Sequence, residues 1–421
     1  MATVSSEPGV PVKPRKSLTA TIAKSVEPLK EWNFALLMVG RGTSNMGRNM
    51  RVFARAWLVL ELTNSPFLLG LVTSAISWPM LFMPFVGGVL ADRVDRRKLV
   101  LYTEFALTIL WFGTSVVISL GWIQWWHLMI TSVLSGTIQS IGRPGHHAMV
   151  GQVVTKEQLA SAAAIDSVVD HWPRAVGLAV ATLMIVYIGT EGLFWFTAIL
   201  QFFTGCSLLL LRWKPQAVEA AKKSAKSNFL EGFHYVRKEP VVVGVVSVGV
   251  AATLFGGVGF LMPFFARDIL EVGARGLGTM MLASTLGVSI GSGLVMILAN
   301  YQRRGLLLVI GSLTATAFTI GFSLSTVYFL SIGLVFFMGF FQTFRGSMVD
   351  LVMQLIAKPE IRGRVMSVRV AIQGFSWMGV LLLGALAEAI GPARTVLYGS
   401  IASGAVALAI FIAIPAIPKF R

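Results

Sequence analysis

Residues 87–99, Gly87-Gly88-Val89-Leu90-Ala91-Asp92-Arg93-Val94-Asp95-Arg96-Arg97-Lys98-Leu99, close one apolar run and open the next. Each run is about twenty residues long, which is what a helix rising 1.5 Å per residue needs to cross a hydrocarbon core of about 30 Å. The charges of the stretch therefore lie at a membrane surface, and its excess of arginine and lysine assigns that surface to the cytoplasmic side. Gly87 and Gly88 lack side chains and let a neighbouring helix approach closely. Asp92 is suited to an arginine partner or to a helix N-terminus, where unpaired N–H groups attract an anion.

Composition agrees with this reading. A chain of 421 residues with 55% hydrophobic and 13% charged residues, and a mean hydropathy of +0.75, is a polytopic membrane protein, because soluble domains are about 25% charged. The formal charge of +16 serves membrane topology and implies no nucleic acid partner. Cys206, the single cysteine, lies inside an apolar run, so neither a disulfide framework nor a thiolate metal site is expected.

In chain order, residues 1–31 form a polar, basic, proline-broken tail with no signal-peptide core. Six apolar stretches follow within residues 32–211, a basic linker occupies 212–240, six more stretches fill 241–415, and 416–421 are a second tail. The loops on one side carry only Arg267, Arg275 and Arg394, while the other loop lysines and arginines fall on the opposite side; both termini are therefore expected in the cytoplasm. Trp122, Trp125 and Trp126 suit an interfacial anchor on the outer side. In the linker, Phe229, Phe233 and Val236 stand at helical spacing and predict an amphipathic helix on the inner surface. A shift of 208 residues lays Leu69-Gly70 on Leu277-Gly278 and Leu90-Ala91-Asp92 on Leu298-Ala299-Asn300. Such a repeat predicts two six-helix halves with a substrate site between them near the membrane midplane.

The loop pattern of Gly88, Asp92, Arg93, Arg96 and Arg97 resembles the signature of the major facilitator superfamily. The resemblance implies that the loop joins the second and third transmembrane helices and latches the cytoplasmic gate. Arg362 and Arg364, in the run Pro359-Glu360-Ile361-Arg362-Gly363-Arg364-Val365-Met366-Ser367, are expected across that gate. Together with Gly40-Arg41-Gly42-Thr43-Ser44 and Trp57-Leu58-Val59-Leu60, this run is similar to the secretion-type branch of the superfamily, which includes the bacterial enterobactin exporter. The chain departs from the proton-driven exporters in one place: the Gly-Pro pair of their fifth span is replaced by Arg174-Ala175-Val176-Gly177-Leu178-Ala179, with Pro173 just before it.

Ionisable residues within the spans carry the functional reading, since a charge at the bilayer centre costs about 3 kcal/mol or more and is seldom left facing lipid. Arg41, Arg48, Arg51 and Arg55 form one stripe on the first span, and Asp166, Asp170 and Arg174 form another on the fifth. One reading has Arg41 and Arg48 neutralising Asp166 and Asp170, with Arg51 and Arg55 reaching toward the outer headgroups. The arginines outnumber the carboxylates, so a positively lined cavity for an anionic or polyphenolic substrate is expected. Arg345, Arg369 and Gln373 extend the candidates into the second half. Asp166 or Asp170 is the expected proton carrier, ahead of His146, His147 and His171.

The sequence therefore predicts an all-α membrane protein of the major facilitator fold, with twelve transmembrane helices in the bacterial cytoplasmic membrane. It predicts a monomeric secondary transporter that exports a small, siderophore-like or drug-like organic molecule by alternating access, with protons as the candidate coupling ion and without a cofactor. The competing readings are an importer or facilitator of the same fold and a non-transporting scaffold or sensor. An enzyme is not expected, because neither a catalytic acid-base-nucleophile set nor a nucleotide-binding loop is evident.

Overall fold

The computed structural model describes residues 27–79, 83, 95–150, 153–155, 158–212, 234–237, 239–298, 301–357 and 361–420. Gly88, Asp92 and Arg93, most of the 1–31 tail and most of the linker lie outside them, as do the side chains of Arg96, Arg362 and Gln373. The described residues are helical without a strand. The main helices are α1 (Trp32–Thr63), α2 (Pro66–Ala75), α3 (Arg96–Ser119), α4 (Trp125–Val150) and α5 (Leu159–Leu209). They continue with α6 (Pro240–Phe255), α7 (Gly273–Leu298), α8 (Arg304–Leu324), α9 (Tyr328–Ile356), α10 (Arg362–Gly374), α11 (Ser376–Ile390) and α12 (Pro392–Ala413).

Among the described residues, seven helical segments are long and apolar enough to cross a membrane. One of them, in α5, is two spans in series, since Gly189 at φ 65° and ψ −175° breaks the helical path where only glycine is unstrained. The 32 residues of α1 also have the required length, but its arginines lower its hydropathy. α6 continues through short 3-10 and π turns to Ile269, and α10 runs into α11 past Phe375. The second expected stretch, Pro66 to Leu90, is described as a helix over the ten residues of α2, and most of its remainder lies outside the described residues.

Packing distinguishes the two ends of the bundle. At the end remote from the termini, one apolar cluster draws on both parts of the chain: Trp57, Leu69, Val72 and Leu178 pack in it with Leu261, Phe265, Leu277 and Leu383. At the other end the clusters of the described residues are separate. Phe34, Leu37, Val100, Met149 and Leu208 form one, while Val245, Leu308, Met348, Val365 and Phe411 belong to another. Val236 is buried in the latter cluster, so this part of the linker packs on protein.

The remote end is also closed by polar contacts. α2 crosses α11 so tightly that a Cβ on Gly70 would lie 3.1 Å from the carbonyl oxygen of Val380. Ser65 caps α2 by accepting from the Leu68 amide, and Glu388 of α11 accepts from Ser65 Oγ at 2.7 Å and from the Phe67 amide at 3.1 Å. Arg267 donates to Asn64, the C-cap of α1, and to the Leu60 carbonyl at 3.5 Å. An anion thus stands at a helix N-terminus and a cation at a helix C-terminus, each on the favourable end of the dipole.

Candidate functional site

The site grows from the meeting of α1 and α5. Pro173 lies inside α5 and has no N–H to give to the carbonyl of Val169, one turn back. Asn45 of α1 supplies the missing donor, with Nδ2 at 3.2 Å from Val169 O, and the same amide reaches Asp170 Oδ1 at 3.3 Å. The helices can lie this close because Gly177 faces Met46; a Cβ there would fall 2.7 Å from the Met46 carbonyl.

The two stripes predicted from sequence meet at this seam. Arg41 forms an ion pair with Asp166 at 3.0 Å and stands 4.0 Å from Asp170. Asp170 pairs more closely within its own helix, with Arg174 at 2.7 Å. Arg48 donates to Asn45 Oδ1, so Asn45 stands between Arg48 and Asp170.

Arg51 and Arg55 do not reach toward headgroups. They are 7% and 6% exposed, because protein acceptors take the place of water around their guanidinium groups. Arg51 donates to Thr197 O at 3.1 Å and to Gln201 Oε1 at 3.0 Å, and lies 4.7 Å above the Trp111 ring. Arg55 donates to Ser132 Oγ at 2.8 Å.

Sequence reasoning missed the carboxylate that organises this inner layer. Glu104 of α3 is 5% exposed; it accepts from Gln201 Nε2 and lies 2.9 Å from His146 Nε2. The signal was a lone glutamate in an apolar span. His146, ranked below the aspartates, is thus brought to a buried carboxylate. Arg41, Asn45, Arg48, Arg51, Glu104 and Asp170 line one cavity of about 90 Å³, smaller than the roughly 300–1,000 Å³ typical of a drug-sized ligand pocket.

A second polar cavity, of about 250 Å³, opens between α6, α9 and α10. It is lined by Thr253, Gln342, Thr343, Arg345 and Arg369 among others. Arg369 is 7% exposed and donates through Nε to Asp350 Oδ1 at 2.9 Å. Among the described residues, Arg345 has no hydrogen-bonding or ion-pair partner, and it lines this cavity together with the like-charged Arg369.

Of the signature loop, Asp95 caps α3 by accepting from the amides of Arg97 at 2.8 Å and Lys98 at 3.3 Å. The Arg97 side chain donates to Leu209 O at 2.8 Å, tying α3 to the C-terminal end of α5. Arg364 is partly buried in the first turn of α10.

Comparison with known proteins agrees with this architecture. The nucleoside transporter NupG superposes with a TM-score of 0.75 over 92% of this chain and 99% of its own, at 13% identity. A bacterial homologue of the human lysosomal transporter Spinster, in an inward-facing and occupied conformation, gives 0.71 over 93% and 96%, also at 13% identity. These likenesses establish the fold. The enterobactin exporter EntS of Escherichia coli O1:K1 is 25% identical over 79% of each chain. That of Shigella boydii serotype 4 is 27% identical over 60% of each chain, so this match spans less than two thirds of the relative. The model of the transmembrane secretion effector family matches residues 23–420. With nearly the whole length matched and the helical fold shared with solved transporters, this multi-pass membrane protein belongs to the transmembrane secretion effector family of major facilitator transporters, which are not enzymes.

Proposed function

We infer that the chain exports a small organic anion from the cytoplasm by alternating access between two six-helix halves. The observation that carries this reading is the α1–α5 cavity, where Arg41, Arg48 and Arg51 face the space together with Glu104 and Asp170. Guanidinium forks bind carboxylate or catecholate oxygens with paired, charge-assisted hydrogen bonds. The names of the relatives support export and a siderophore-like substrate. The asymmetry of loop lysines and arginines supports a cytoplasmic position for both termini, which makes the closed end the outer one. In that orientation, the closed outer end and the separate inner clusters of the described residues support a state that receives substrate from the cytoplasm. A negative interior then drives an anion outward with about 2.3 kcal/mol per charge per 100 mV, so export needs no proton exchange.

The test uses inverted membrane vesicles containing the full-length protein, with 2,3-dihydroxybenzoate, a carboxylate ionised at neutral pH, as the probe. Anion accumulation should follow an interior-positive potential, persist when the pH gradient alone is collapsed, and fall at least about tenfold in Arg48→Gln, as expected for loss of a charged hydrogen-bonding group. Equilibration of the probe without any response to potential would mean that no net charge crosses with it, and would overturn potential-driven export. Accumulation that follows the pH gradient alone would restore proton exchange as the driving force.

A further inference from the structure

We propose that the cavity around Arg345 is a second anion seat, and that the transported molecule carries two acidic groups, one for each cavity. The proposal rests on the anion-transport reading above and specifies the substrate further. Arg345 lies in the interior of α9, three residues beyond the middle of the Tyr328–Ile356 helix. Its distance from the nearer helix end is about 16 Å at 1.5 Å per residue, too deep for a lipid headgroup to serve as its usual partner. Asp350, the carboxylate nearest in the sequence, is engaged by Arg369. The second guanidinium therefore adds positive charge to a cavity whose other named lining groups, Thr253, Gln342 and Thr343, are neutral hydrogen-bonding side chains. Arg345 is half-buried and, among the described residues, has no counter-charge, an unfavourable state for a cation inside a membrane span. An anion of the substrate relieves that condition.

Cavity size leads to the same conclusion. The α1–α5 cavity, about 90 Å³, accommodates an acidic group but not a whole organic molecule, and the α6–α9–α10 cavity is about 250 Å³. Each falls below the roughly 300 Å³ at which pockets for drug-sized ligands begin. A substrate with an acidic group at either end occupies both and is gripped from both parts of the chain when they close on it.

The experiment measures binding by calorimetry to the purified full-length protein, with the α,ω-dicarboxylates from succinate to sebacate and monocarboxylates of equal length. One dicarboxylate length should bind at least about tenfold more tightly than its monocarboxylate. Arg345→Gln should reduce that ratio to about one, with monocarboxylate affinity held within about twofold, and Arg345→Lys should retain part of the preference. Equal loss for both ligand series in Arg345→Gln, or no dicarboxylate preference in the unaltered protein, overturns the second seat. Arg48→Gln separates this failure from failure of the anion cavity itself. If it abolishes monocarboxylate binding while no dicarboxylate preference exists, the first cavity stands and the second seat alone is lost. If the unaltered protein binds none of these carboxylates, both proposals fall. A stability measurement is independent of the ligand: without anion, Arg345→Gln should raise the melting temperature by about 2–4 °C, whereas Arg369→Gln, which strands Asp350, should lower it. A fall in Arg345→Gln overturns the proposal, because it reveals a structural partner for this arginine.

Discussion

At the scale of single residues, the arginine stripe on α1 was legible in the sequence because spacing alone puts its members on one helical face. Their partners were not legible. Gln201 and Thr197 lie about 150 positions away in the chain, and which carboxylate meets which arginine depends on how α1, α3 and α5 rotate against one another. Glu104 shows the consequence. Through Gln201 it connects to Arg51, and directly to His146, in a network whose members are mostly hidden from water. Removing one charge from such a network leaves the other uncompensated. Glu104→Gln should therefore destabilise the protein by about 3 kcal/mol, and adding Arg51→Gln should recover most of the loss. Thermal unfolding of the two single variants and the double variant, each purified in the same detergent, provides the measurement. Additive losses in the double variant would show that Glu104 and Arg51 are not coupled through Gln201.

At the scale of elements, helix lengths and positions followed closely from apolar runs, but the reason for the shape of α5 did not. Pro173 appeared in the sequence as a stray proline near a missing Gly-Pro pair. In the fold it leaves a carbonyl that Asn45 satisfies, and this bond joins α5 to α1 beside Asp170 and Arg48. A proline defect in one helix has become the docking point of another, which a propensity argument confined to one segment cannot reveal. The two residues should be coupled. Asn45→Ala is expected to cost about 1–3 kcal/mol in the natural background, where Val169 O loses its donor. In a Pro173→Ala background the restored backbone N–H bonds that carbonyl, so the same Asn45→Ala change should cost less by about 1 kcal/mol. Equal costs in both backgrounds would assign the role of Asn45 to Asp170 and Arg48 alone.

At the scale of the whole molecule, alternating access requires the closed end to open, so the contacts holding it must be few and reversible. Glu388 at the start of α2 and Arg267 at the end of α1 meet that requirement. Both are charged groups from the later part of the chain set against helix ends of the earlier part, and both are accessible to solvent. Interactions of this kind contribute about 0.3–1 kcal/mol each. That is enough to bias two conformations severalfold without locking either. The tight crossing of Gly70 with α11 then holds only while these ends stay together. In a Cys206→Ser background, a cysteine replacing the buried Val72 in the closed cluster reports opening through its reaction with a membrane-impermeant maleimide added outside. Glu388→Gln should raise the labelling rate by up to about fivefold, and combination with Arg267→Gln should multiply the two effects, because each removes a separate contact from the closed state alone. Transport should fall in the double variant even though both cavities are intact, since the state that accepts substrate from the cytoplasm is less populated. Labelling unchanged in both single variants would mean that the apolar cluster holds the outer end by itself.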